Sequence, residues 1–204
     1  MTAAKERKTE TDLSLASLIE RGGVYHHVAG TTPKDLLVAA IDRLPLVSTV
    51  DKEKLLREIL EREALVSTGI GRGIALPHPR NPLTENDSGP LSSPPKAAQP
   101  LVAAPPLVAA PPLVAAPPLV AAPPLVAVVF PDQPINWNAP DGNDVHTVFL
   151  IISSSIKQHL GTLSKINFLC QQEKFYSLIK SRQSQDMIVT AIREAETSWA
   201  GTSS

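Results

Sequence analysis

In the first 65 residues, hydrophobic positions recur every three or four residues in segments separated by polar or glycine-containing breaks. This spacing is typical of amphipathic helices, and it predicts helices over residues 13–21, 32–43 and 51–63. Thr32 is a good N-cap, and Pro33 suits the first helical position, where no hydrogen-bonding N–H is needed. Residues 24–28 are a candidate strand, and the polar segment 1–12 is predicted to be a disordered tail.

Two later segments, residues 125–130 and 145–152, are almost entirely apolar and rich in β-branched side chains, which indicates buried strands. Residues 138–143 predict a turn between them. Ser155 with Gln158 forms a capping box, and it opens a helix whose predicted core face is Ile156, Leu160, Leu163, Ile166 and Cys170. Further helices are expected over 175–180 and 184–197. Strands interleaved with helices predict an α/β sandwich.

A repeat of period six interrupts this pattern. Leu-Val-Ala-Ala-Pro-Pro occurs four times without error over residues 101–124, and a fifth copy begins at Leu125 before diverging. Paired prolines favour extended polyproline-II geometry and exclude a membrane helix. We predict that residues 84–124 are an insertion looped out of a single domain, 13–198. The insertion is a tolerated expansion, since loop length costs little stability, or a docking segment for a proline-recognising partner.

Composition narrows the function classes. The chain has 204 residues, enough for one domain, and 19 basic against 20 acidic residues, which does not favour nucleic acid as a partner. A single cysteine, Cys170, excludes an internal disulfide and a cysteine-based metal cluster. The polar N-terminus has no apolar stretch behind it, so we expect a cytoplasmic protein without a signal peptide.

The segment 67–78 carries the strongest chemical signal. Glycines stand at positions 69, 71 and 73, and an apolar run then ends at Pro77 and His78. Because proline cannot donate to a sheet ladder, we expect a strand to end there and to present His78 as a nucleophile or base. A dinucleotide-binding loop is excluded, since its glycines must open a helix. A glycine turn with an incidental histidine remains the alternative.

Two other side chains are candidates. His159 is the fourth residue of the capped helix, where unpaired N–H groups favour an anion; the alternative is a polar residue at a helix edge. Arg62 ends the helix before the glycines, either as a cation near a transferred phosphoryl group or in an ion pair with Glu58. His146 is predicted to face outward in a surface role.

Three segments in this order resemble the EIIA domain of the fructose, mannitol and nitrogen-regulatory type in the bacterial phosphotransferase system. They are residues 61–78, residues 134–152, and the run His159-Leu160-Gly161-Thr162-Leu163, and the resemblance covers about residues 13–197 apart from the insertion. It implies a mixed β-sheet between helices, with no cofactor and no metal. It also implies that His78 accepts a phosphoryl group, that His159 supports the phosphohistidine, and that Arg62 contacts the phosphate or a partner.

The resemblance further implies partners and substrate contacts. The donor would be a histidine-containing phosphocarrier protein and the acceptor an EIIB-type domain or a regulatory target. Thr68, Gly71 and Arg80 are candidate substrate-binding residues. Pro79 stands where the family usually has glycine, a variant similar to a regulatory subgroup. The chain is therefore expected to be a phosphocarrier for sugar uptake or regulation, or a regulatory protein without sugar transport; a relic that is not phosphorylated is the third alternative.

Overall fold

The computed structural model describes residues 14–48, 50–81 and 123–201. The predicted tail, 1–12, and nearly all of the predicted insertion, 84–124, lie outside these residues. In chain order the elements are α1 (Leu15–Gly22), β1 (Val24–Val28), α2 (Pro33–Arg43), α3 (Lys52–Leu65), β2 (Gly69–Gly71), β3 (Ile74–Ala75), β4 (Leu125–Pro131), β5 (Thr147–Ile152), α4 (Ile156–Gln171), α5 (Glu173–Lys180) and α6 (Gln185–Gly201).

Polar side chains set where several helices begin. Ser14, Thr32, Asp51 and Ser155 precede α1, α2, α3 and α4, and each accepts a hydrogen bond from a backbone N–H of the first turn. These bonds satisfy donors that have no partner inside a helix. The predicted helix starts are thus reproduced within two residues, because capping depends on local sequence alone.

The strands form one mixed sheet in the order β1-β4-β5-β3-β2. The central pair, β4 and β5, is antiparallel, whereas β1 runs parallel to β4 and β3 runs parallel to β5. The short strand β2 pairs antiparallel with β3. The predicted α/β class with a mixed sheet is confirmed.

Helices cover both faces of the sheet. Along β4, Leu125, Ala127 and Val129 face one buried apolar cluster with α2 and α3. The alternate residues Val126, Val128 and Phe130 face a second cluster with α1, α4, α5 and α6. Two-sided burial explains why β4 and β5 are continuously apolar in sequence.

The glycine segment differs from a simple turn. Gly69–Gly71 forms β2, and the turn itself lies at Arg72 and Gly73, whose φ angles are 56° and 73°. A Cβ on Gly73 would lie 2.4 Å from Cδ2 of His146, so only glycine fits there. The prediction of a surface role for His146 is wrong, because its ring is partly buried against Gly73.

The predicted core face of α4 is wrong in its first turns. Ile156 and Leu160 are 54% and 61% exposed. In these turns Gln158 and Thr162 are buried instead, and the buried stripe continues through the predicted residues Ile166 and Cys170. Gln158 is buried because its side-chain oxygen accepts from the Ser154 N–H at 2.9 Å and the Ser154 hydroxyl at 3.1 Å. The side-chain oxygen of Gln158 is thereby satisfied, whereas its Nε2 is buried without a hydrogen-bond partner in the described part of the chain.

Candidate functional site

His78 lies just beyond the carboxyl end of β3, where hydrogen bonds continue after the strand ends. The Leu76 N–H donates to the Thr68 carbonyl at 3.0 Å, and the Pro77 carbonyl accepts from the Ile151 N–H of β5 at 3.0 Å. The segment is therefore held on both sides. His78 retains only 8% of its surface exposed.

A backbone contact defines the tautomer of His78. Its Nδ1 lies 2.8 Å from the carbonyl oxygen of Leu76. A carbonyl can only accept, so Nδ1 carries the proton in this bond. In the neutral ring Nε2 is then left with a free lone pair, which is what a nucleophile needs.

His159 projects from the first turns of α4 and packs against His78. The two imidazole centroids are 4.6 Å apart, with the ring planes tilted by 56°. Nδ1 of His159 lies 3.5 Å from Oγ of Ser153, which directly follows β5. Residues from the ends of two neighbouring parallel strands and from one helix start thus meet at one edge of the sheet.

Both imidazoles are held in their neutral form near pH 7. Burial lowers the pKa of His78; the bond to the Leu76 carbonyl and the charge of Glu63 act in the opposite direction, and Arg62 lowers it further. Burial, followed by the charges of His78 and Arg62, lowers the pKa of His159 to about 4. Loss of water around a ring disfavours its charged form, so the pair is uncharged when unliganded.

Arg62 lies in the last turn of α3, close enough for its charge to lower the pKa of both imidazoles. Its Nη1 donates to the Val66 carbonyl at 2.9 Å, which closes the end of the helix. Among the described residues no ion pair within 4.0 Å joins it to Glu58. The alternative role as an ion-pair partner of Glu58 is therefore not observed.

The backbone N–H and the hydroxyl of Thr68, a predicted substrate-binding residue, form hydrogen bonds with other side chains of the protein. Its hydroxyl donates to Oε2 of Glu63 at 2.5 Å and accepts from Nε1 of Trp137 at 3.3 Å. Its backbone N–H donates to Oε1 of Glu63 at 2.8 Å. Thr68 is only 6% exposed, and its hydroxyl proton is already in use.

The other two predicted substrate-binding residues have different surroundings. Gly71, with φ of 88°, faces the Asp141 carboxylate, whose Oδ2 accepts from the Arg72 N–H at 2.7 Å. Its small size therefore serves the contact between the glycine segment and the loop before β5. Arg80 is exposed, two residues beyond His78.

Sequence reasoning did not identify Glu63, Trp137 or Ser153 as residues of this region. Glu63 was visible only as the carboxylate beside Arg62, and Ser153 only as a polar residue after an apolar strand. Trp137 lies in a segment that carries the resemblance, but no local pattern indicates its contact with Thr68, which is distant in the chain. Their contacts become visible only when the strands are paired.

Several exposed apolar side chains lie close in sequence to Arg62 and His159. Leu65 and Val66 follow Arg62, and Ile156 and Leu160 flank His159. Large apolar groups left in water at a site are typical of a surface that contacts another protein.

Within ranges 14–48, 50–81 and 123–201, no group of three or more His, Cys, Asp or Glu side chains is arranged to hold a metal ion. No helix in the part of the chain that the structure describes is long and apolar enough to cross a membrane.

The site of this α/β protein is thus a pair of neutral imidazoles, one buried and one half-buried, at the edge of a mixed sheet with an arginine in electrostatic range. Residues 18–89 and 118–195 match the family described as phosphoenolpyruvate-dependent sugar phosphotransferase system, EIIA 2. The chain belongs to this family. No curated protein matches it in sequence.

Solved structures with the same fold come from several bacteria. Nitrogen regulatory protein IIA-Ntr from Neisseria meningitidis is 19% identical with a TM-score of 0.58, over 83% of this chain and 91% of that one. A candidate PTS IIA (PtxA) from Streptococcus mutans is 12% identical with a TM-score of 0.58, over 91% and 97%. A candidate PTS IIA domain from Streptococcus pyogenes is 11% identical with a TM-score of 0.59, over 91% and 99%. At these identities the likeness establishes the fold.

Proposed function

We propose that the protein is a histidine phosphocarrier of the phosphotransferase system, with Nε2 of His78 as the acceptor atom. The observation that carries this proposal is the bond from Nδ1 to the Leu76 carbonyl, because it leaves the Nε2 lone pair free in a neutral ring. Membership in the EIIA 2 family supports phosphoryl transfer as the reaction class.

The transfer step follows from these groups. The Nε2 lone pair of His78 attacks the phosphorus of a phosphohistidine on the donor, and the donor's N–P bond breaks as the new one forms. The ring then keeps its Nδ1 proton and becomes positively charged. The Leu76 carbonyl stabilises that charge, because hydrogen bonds to charged groups are the stronger ones.

His159 and Arg62 act on the phosphoryl group in this proposal. His159 is neutral near pH 7, and the N–H of its ring can donate a hydrogen bond to a phosphoryl oxygen. Arg62 supplies positive charge, the main contribution that a protein makes to phosphoryl transfer. Arg80, which is exposed and lies two residues beyond His78, is a further candidate contact.

The partners are proposed from chemistry and family. The donor is a small histidine-containing phosphocarrier protein that docks on exposed apolar side chains close in sequence to Arg62 and His159, namely Leu65, Ile156 and Leu160. The acceptor is an EIIB-type domain or a regulatory target, and the protein works in the cytoplasm, where such partners occur.

A regulatory role without sugar transport is the second candidate. Pro79 directly after His78 favours it, since the family usually has glycine there and this variant is similar to a regulatory subgroup. The structural likeness to a nitrogen regulatory protein supports the same regulatory role. In this role the phosphorylated and unphosphorylated forms bind different targets.

Mass spectrometry of the intact protein tests the phosphocarrier. The chain is incubated with phosphoenolpyruvate and the upstream phosphotransferase components, and we expect the gain of one phosphoryl group that acid removes. His78→Ala abolishes the gain, His159→Ala slows it, and the exposed control His27→Ala leaves it unchanged. If the His78→Ala protein carries phosphate on His159, the roles of the two histidines are the reverse of those proposed. If the wild type gains no phosphoryl group with several donors, the alternative of a relic that is not phosphorylated remains.

Adding a purified EIIB-type domain then separates the two candidates. Loss of the phosphoryl group from this protein to the domain supports sugar uptake. Retention of the group, together with a target that binds only one of the two forms, supports regulation.

A further inference from the structure

We propose that Glu63 is a positioning residue for His78, acting through Thr68 and Leu76. This inference rests on the proposed function, because it concerns how the same imidazole is oriented for phosphoryl transfer. It assigns a role to a carboxylate that does not itself touch the reacting atoms.

Glu63 accepts two hydrogen bonds from Thr68. One carboxylate oxygen accepts from the Thr68 N–H at 2.8 Å and the other from the Thr68 hydroxyl at 2.5 Å. Two bonds from one carboxylate fix both the backbone and the side chain of Thr68. The last turn of α3 is thereby tied to the residue just before β2.

A series of hydrogen bonds connects Thr68 to the imidazole of His78. The Thr68 carbonyl accepts from the Leu76 N–H at 3.0 Å. The Leu76 carbonyl in turn accepts from Nδ1 of His78 at 2.8 Å. The position of the carbonyl that fixes the tautomer of His78 therefore depends on Thr68, and Thr68 depends on Glu63.

Trp137 provides a second anchor for Thr68. Its indole N–H donates to the Thr68 hydroxyl at 3.3 Å, and Ser67 donates to the Trp137 carbonyl at 2.6 Å. The Thr68 hydroxyl is thus a donor to Glu63 and an acceptor from Trp137. Rotation of this side chain would break both bonds, so its orientation is well defined.

Charge makes the choice of a carboxylate significant. The charged and titratable groups in electrostatic range of His78 are Arg62 and Glu63 from α3 and His159 from α4. An amide at position 63 would keep an acceptor for the Thr68 N–H, but its NH₂ group cannot accept from the hydroxyl. The substitution therefore removes the acceptor of the Thr68 hydroxyl proton and one charge, while leaving the volume almost unchanged.

The experiment compares Glu63→Gln with a matched control on the same helix, Glu61→Gln, which removes the same charge from an exposed position. Thr68→Val and Thr68→Ser form a second pair, since only serine keeps the hydroxyl. Heteronuclear NMR of the imidazoles reports the tautomer and pKa of His78 in the unphosphorylated protein. Phosphoramidate, which phosphorylates imidazole without a partner, reports the rate at His78.

We expect Glu63→Gln and Thr68→Val each to reduce the population of the Nδ1–H tautomer and to lower the pKa of His78. Each should slow labelling by phosphoramidate roughly tenfold, about the effect of losing one hydrogen bond to a charged group. The double variant should be no slower than either single one, because the two residues act in series. Thr68→Ser and Glu61→Gln should behave as wild type.

Equal tautomer populations and equal labelling rates in Glu63→Gln and Glu61→Gln would overturn the inference. So would a purely additive double variant. Failure of the donor protein to phosphorylate the wild type would count against the proposed function alone, since neither NMR nor phosphoramidate depends on that donor. If Glu63→Gln unfolds, the Thr68 pair decides, because a structural role predicts a lower melting temperature without a change of tautomer.

Discussion

Acidification should destabilise the protein through His159. Folding lowers the pKa of this ring from 6.5 to about 4, chiefly by burial. Between these two values the unfolded chain binds a proton that the folded chain does not bind, so the free energy of unfolding falls as the pH falls. The contribution of His159 is fully present above pH 6.5 and is lost progressively towards pH 4.

The size of this effect follows from linkage. At pH 5 the shift corresponds to about 2 kcal/mol, at roughly 1.4 kcal/mol for each pKa unit that has been crossed. His159 is only partly buried, so remaining water screens the penalty, and about 1 kcal/mol is the expected loss. Folding also lowers the pKa of His26, His78 and His146. The pH dependence of the wild type alone therefore does not isolate the contribution of His159.

Urea unfolding at pH 7.5 and pH 5.0 provides the measurement, with His159→Asn as the reference because asparagine does not titrate. We expect the wild type to lose about 1 kcal/mol more than the variant between the two pH values. Equal losses would refute the reasoning. They would mean that the pKa of His159 is the same in the folded and the unfolded state.

Other substitutions test separate parts of the structure. Gly73→Ala places a Cβ against His146 at a φ of 73°, and we expect a loss of about 2 kcal/mol or more in urea unfolding; a loss below about 0.5 kcal/mol would contradict this. Leu160→Asp should leave the unfolding free energy unchanged but slow transfer from the donor protein about tenfold, and unaltered transfer kinetics would remove Leu160 from the docking surface. Trp137→Phe should cost about 1 kcal/mol, since the Thr68 hydroxyl loses its donor, and unchanged stability would show that water replaces the indole.

The sequence was sufficient for features that depend on local chemistry. The caps at Thr32 and Ser155 set helix starts, and the continuously apolar segments became β4 and β5 because both faces of the sheet are covered. The strand β3 ends at Ala75, two residues before the predicted end at Pro77, and His78 follows it closely, so the position of His78 just beyond a strand end could be predicted.

The remaining features depend on contacts between distant segments. In α4 the buried Gln158 accepts two hydrogen bonds from Ser154, whereas the more apolar Ile156 and Leu160 are exposed. The pairing of the glycines as β2 requires β3 as a partner. No periodicity in the sequence indicates either result.

Trp137 gives the protein a built-in optical probe. The chain has two tryptophans, and Trp137 is 2% exposed with its indole N–H bonded to Thr68. The emission of an indole responds to the polarity and hydrogen bonding of its N–H. In a Trp199→Phe background, any rearrangement of Thr68 during a single turnover would therefore be followed in real time without an external label.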